Sequence, residues 1–149
     1  MLKKIRKKIK KHFIEVIKIK KSPHSMALGF AIGTFIAIFP TWGLTFLLGL
    51  IVIALFPKVN KFTLLLAFII WNPLITAPLY LWAYKLGTLI FGSTPIVKFN
   101  IIILDQFYNF SRRFIVGISI ISLIISIISY FIVKLIAQAY KNKKRKNLK

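Results

Sequence analysis

From Phe114 to Ile136 the chain runs 23 residues interrupted only by Gly117, four serines and Lys134. As a helix this run rises about 35 Å, enough to cross the ~30 Å hydrocarbon core of a bilayer. A run of this kind dictates much of what surrounds it, because so apolar a helix needs lipid or a deep core on every side. A deep core is not available in 149 residues of which 58% are hydrophobic and 17% charged. Soluble domains stand nearer 45–50% apolar and about 25% charged, and a small domain still exposes roughly a third of its unfolded surface. The expected fold class is therefore all-α, a polytopic helical membrane protein. The absence of cysteine excludes a disulfide scaffold and a thiolate metal site.

The charge is lopsided, with 23 Lys and Arg against two acids. Ten of the basic residues lie within 1–21 and six within 141–149. Such tails read as cytoplasmic flanks under the positive-inside rule, with added attraction to anionic headgroups of the lipid bilayer, the first expected partner. Nucleic acid is not expected, because the basic runs lack interleaved aromatics and a soluble module.

Within 1–21, Leu2, Ile5, Ile9, Phe13 and Val16 or Ile17 recur at helical spacing opposite a Lys-rich face. This pattern predicts a basic amphipathic helix lying in the membrane interface. Ser22-Pro23 ends it and can cap the next helix. A membrane domain is expected over 22–95. It begins with a hairpin over 26–56 whose two apolar runs, Met26–Phe39 and Leu44–Phe56, are each short for a full crossing. The break between them is Pro40-Thr41-Trp42-Gly43. Two minimal spans and a re-entrant hairpin both fit. Residues 62–91 read as a longer helix broken at Asn72-Pro73 and stopped near Gly92, because the residue before a proline is pushed out of the α region. A second interfacial segment is expected over 96–111, a transmembrane helix over 112–138 and a basic tail over 139–149. Both termini inside the cell would put nineteen basic residues inside and three outside, with Lys85 in a span.

In order along the chain stand Ser22-Pro23, Ala27 to Phe35 with Gly29 and Gly33, Pro40, Gly43, Asn60, Trp71-Asn72-Pro73, Pro78-Leu79-Tyr80, Tyr84 to Gly87, and Gly92. This ordered set resembles the domain of unknown function 2062 family of bacterial integral membrane proteins, over roughly residues 20–95. The resemblance implies a small protein of the bacterial inner membrane, multi-pass, in a family whose domain is sometimes joined to a glycosyltransferase. The chain departs from the family pattern at Leu44, where a Gln is usual near the first break, and at Ile75, where a Thr is usual after Asn-Pro.

Reactive groups are scarce. Glu15 and Asp105 are the only acids, and with His12 and His24 they lie outside the expected spans. No ionisable acid or His is available for proton-coupled transport, no base stands beside a nucleophile, and no metal or cofactor site is expected. The chain is not expected to be an enzyme. Three features remain. The helix breaks, with Pro40, Thr41, Gly43, Asn72, Pro73 and Thr76, could line a polar cavity if they meet at mid-depth, or merely shape interfacial loops with Trp42 and Trp71 in the aromatic belt. Gly29 and Gly33 form a G-x-x-x-G and, with Gly87, suit close helix packing. Lys85 could contact a lipid phosphate or simply snorkel. Two functions follow: a non-enzymatic transport or lipid-handling module built on the breaks, or a structural subunit that positions an envelope enzyme. A protein partner and a homo-oligomer both stay open.

Overall fold

The computed structural model of the protein describes residues 22–93, 95 and 100–146. The basic helix expected over 1–21 lies outside the described residues. The described residues contain helices and no strand. The helices are α1 (Pro23–Ile38), α2 (Thr45–Leu55), α3 (Lys61–Ile70), α4 (Pro73–Phe91) and α5 (Ile102–Lys146).

Short-range chemistry sets each boundary. Ser22 accepts the Ser25 N–H at 3.0 Å and Pro23 occupies the first turn, where its missing N–H costs nothing. Phe39 leaves the helical region because Pro40 follows it. Asn60 and Asn72 cap α3 and α4 in the same manner, each side-chain oxygen accepting two N–H groups from the first turn. Gly92 ends α4 with φ 72°, a conformation that suits glycine.

The C-terminal half differs from the expected segmentation. The boundary expected between 111 and 112 is absent, and α5 is one helix of 45 residues, about 67 Å long. Asp105, Asn109, Arg112 and Arg113 interrupt the apolar pattern but not the backbone, since no proline lies between 102 and 146. Gly117 is the one glycine in α5, and it costs only about 1 kcal/mol relative to alanine.

Helix α1 is central. It runs parallel to α3, with Gly29 against Asn60 and Thr63 and Gly33 against Leu64 and Ala67. It runs antiparallel to α5, with His24 on Tyr130, Ala31 on Ser126 and Ile38 in a cluster with Ile118. Because α1 is covered on two sides, its buried residues fall all round it. Helix α4 packs antiparallel on the N-terminal half of α5, and α1 on its middle. Helix α2 touches its neighbours only lightly and buries Gly49 alone.

The resulting distribution is inside-out by soluble standards. The buried core is mostly small or polar: Ala27, Ala31, Ala67 and Ala83, with Ser25, Thr34, Asn60, Thr63, Thr76 and Ser122. Large apolar side chains such as Phe46, Leu50, Phe62, Ile69, Trp82 and Leu89 face outward. Among the described residues two helices, α4 and α5, are long and apolar enough to cross a membrane.

Candidate functional site

The two helix breaks come first, because irregular backbone is where a chain this apolar exposes polarity. At the first, Leu44 N donates to Thr41 O at 2.9 Å and the Thr41 and Thr45 hydroxyls share a hydrogen bond of 2.6 Å. Trp42 and Gly43 both take positive φ, 43° and 91°, so the chain reverses within two residues. Glycine does this freely, whereas a tryptophan there is strained. Trp42 is 90% exposed and packs on nothing, and a Cβ on Gly43 would meet open space.

The second break is built differently. Asn72 Oδ1 accepts from Leu74 N at 3.0 Å and Ile75 N at 3.2 Å, while Thr76 N and the Thr76 hydroxyl donate to Asn72 O. Pro73 has no N–H to satisfy. The N-terminus of α4 is thus capped by its own chain and holds no spare donors for a ligand. Thr76 is buried and spent on this cap. Trp71 is not a free-standing belt residue: its Nε1 donates to the fully buried Thr34 hydroxyl at 3.0 Å, tying the break to α1.

Each break sends one aromatic side chain to the same buried cluster. Phe39, beside Pro40, and Trp71, beside Asn72, both pack on the buried cluster of Ile38, Ala83 and Ile118. Leu79 and Tyr80 of α4 pack on the same cluster.

A further polar junction, absent from the motif analysis, joins the start of α1 to the α2–α3 turn. Ser25 is buried; its hydroxyl donates to Lys58 O at 2.5 Å, and its carbonyl accepts Asn60 N at 3.2 Å. Gly29 lets the Asn60 carbonyl lie directly on α1. The spacing Ser25 to Gly29 to Gly33 is the sequence signal that could have found it, since small residues four apart mark one face of a helix.

The third region is the α4–α5 seam. A Cβ on Gly87 would overlap the Arg113 carbonyl, and a Cβ on Gly117 would overlap the Ala83 carbonyl. Ala83 and Gly87, a small-x-x-x-small pair on α4, therefore meet the backbone of Arg113 and Gly117 on α5 at close range. Aromatic stacking flanks it: Tyr80 meets Phe114 edge-on at 5.4 Å and Tyr84 stacks on Phe110 at 5.1 Å. Lys85 is exposed on the side of α4 away from this seam, in a shallow depression with Tyr84, Thr88 and Leu89. Arg113 is buried at the seam, 9% exposed, and the guanidinium carbon of Arg112 lies 4.2 Å above the Phe91 ring centre.

The model of a family described as an uncharacterized protein conserved in bacteria, DUF2062, matches residues 6–146. No curated protein and no solved structure matches the chain.

Proposed function

The chain belongs to this uncharacterised bacterial family, and from that premise we propose that it is a non-enzymatic, membrane-embedded lipid-handling module. In this reading α4 and α5 cross the bilayer, and α1 with α2 forms a re-entrant hairpin. One observation carries it. Ile38, the last residue of α1, is buried in one cluster with Ala83, near the middle of the crossing-length α4. A hairpin that reaches only the middle of a spanning helix turns inside the bilayer.

The length of the hairpin supports the same reading. Its helices have 16 and 11 residues, about 24 Å and about 17 Å, against a hydrocarbon core of ~30 Å. Its turn exposes Trp42, Gly43 and Leu44, and at Gly43 the exposed surface is backbone. Exposed backbone at membrane depth must be met by water or headgroups, because lipid tails cannot hydrogen-bond to it. A half-depth hairpin with a wet turn thins the bilayer locally and lowers the barrier for a headgroup to pass. The self-capped α4 terminus directs function away from a tightly held ion and toward this effect on the lipid. The scarcity of reactive groups, two acids in the whole chain, supports a role without covalent chemistry.

Because the chain has no cysteine, single Thr41→Cys and Ser93→Cys variants are clean reporters. A bulky impermeant maleimide added from the Ser93 side should label Ser93→Cys and leave Thr41→Cys unlabelled. Equal labelling rates would make α1 a full span and sink the re-entrant reading. For lipid handling, the purified protein in vesicles should speed dithionite quenching of inner-leaflet fluorescent lipid relative to empty vesicles. Quenching at the empty-vesicle rate would refute it.

A further inference from the structure

We infer that Arg112, stacked on Phe91 where α4 ends, forms the centre of a phosphate-binding site on the α4–α5 face. The shared ligand chemistry is a phosphate ester, whether in a lipid headgroup or in a soluble compound.

The case rests on what the guanidinium does with its donors. Arginine carries five N–H groups in one plane and no acceptor. Stacking on Phe91 at 4.2 Å engages the face of that plane through cation–π attraction. Nε and Nη2 are shielded from solvent and have no acceptor among the described residues. Charged donors shielded from water and left without an acceptor are unfavourable, so the geometry favours an anion at these two groups. Nε with Nη2 is one of the two forks by which arginine grips two phosphate oxygens at once.

Local charge points the same way. Arg113, the next residue, is a second arginine; it is buried, with its backbone against Gly87. Asp105 is the one acid on α5, seven residues away, about 10 Å along the helix, and its carboxylate accepts Asn109 Nδ2 at 3.2 Å. Phe91 is the last residue of α4, so if α4 crosses the bilayer, Arg112 sits at the depth of lipid phosphates. The lipid arm rests on the bilayer reading above; the soluble arm does not. The site is distinct from Lys85, which lies on the opposite side of α4.

The test uses the full chain purified in dodecylmaltoside, with dioctanoyl phosphatidic acid, dioctanoylglycerol and sodium phosphate as probes at matched ionic strength. Thermal unfolding reads binding, because a ligand that binds only the folded state raises the midpoint. Dioctanoyl phosphatidic acid should raise it and dioctanoylglycerol should not. Arg112→Gln should weaken the effect by about tenfold, and Arg112→Lys by less, since it keeps charge and loses the fork. Phe91→Leu keeps every charge, removes the stacking platform and should also weaken binding; it serves if Arg112→Gln lowers the ligand-free midpoint. A response to phosphatidic acid alone identifies a headgroup site. An equal response to sodium phosphate identifies a soluble phosphoester. Wild-type affinity in both Arg112→Gln and Phe91→Leu overturns the inference, as does equal stabilisation by dioctanoylglycerol. Labelling of Thr41→Cys is independent of these titrations, so failure of this site and failure of the bilayer reading are told apart.

Discussion

Replacing Gly87 or Gly117 by alanine is the sharpest test of how this protein holds together. An alanine Cβ at either position would drive into a backbone carbonyl of the facing helix, Arg113 or Ala83. A carbonyl in the middle of a helix cannot rotate away as a side chain can. The helices must part by roughly 1.5 Å to restore an ordinary separation of about 3.5 Å. Parting them also loosens the Cα–H···O contacts along the seam, worth about 0.5–1 kcal/mol each. Overpacking of a tight contact costs about 1–3 kcal/mol, and a backbone obstacle belongs at the upper end. Against this, alanine regains about 1 kcal/mol of helix propensity. The balance is a loss of about 1–2 kcal/mol for each substitution. Because the two contacts share one seam, the double variant should lose less than the sum, as the first alanine already opens the gap for the second. Unfolding of the purified protein by dodecyl sulfate in mixed micelles, followed by tryptophan fluorescence, measures this. Single variants as stable as wild type, or more stable, would mean that α4 and α5 do not touch backbone to backbone.

Three further outcomes follow from the same geometry. Trp71→Phe and Thr34→Val should each destabilise by about 1 kcal/mol, and their double-mutant cycle should show coupling of similar size, because they share one buried hydrogen bond; a coupling of zero in the same dodecyl sulfate titration would contradict it. Asn72→Ala should cost about 1 kcal/mol and Asn72→Ser distinctly less, since serine can still cap α4; equal losses would mean that the cap is not what Asn72 contributes. Gly49→Ala should be milder than Gly33→Ala, for the first meets the outer edge of the Phe68 ring and the second meets the Leu64 backbone; the reverse order would refute this ranking.

Local punctuation was readable because it acts over a few residues. Ser22-Pro23, Asn72-Pro73 and Gly92 each mark a helix boundary where the structure has one, through caps and excluded conformations that need no tertiary context. The continuity of α5 was not readable in the same way. Polarity at Asp105, Asn109, Arg112 and Arg113 resembles the edge of a membrane helix, yet nothing in those residues breaks a backbone. Pairings between helices were hidden for another reason. Gly117 is an unremarkable small residue in an apolar run until Ala83 is set opposite it, and that register belongs to the fold. Trp71 beside a proline suits an interfacial anchor equally well; only the position of Thr34 on α1 reveals the hydrogen bond. Arg112 and Arg113 looked like flanking charge because their neighbours, Phe91 and Gly87, are more than twenty residues away in sequence.

The unbroken length of α5 has a mechanical consequence. Beyond Tyr130, where His24 at the start of α1 meets it, the helix continues to Lys146 for about 24 Å as a single rod. A rod converts a small rotation at one point into a larger displacement at its end: a tilt of about 10° at Tyr130 moves Lys146 by about 4 Å. Helices α1 and α4 grip this rod on its first two thirds, so any change in how they hold it is carried into the position of the basic residues at the far end.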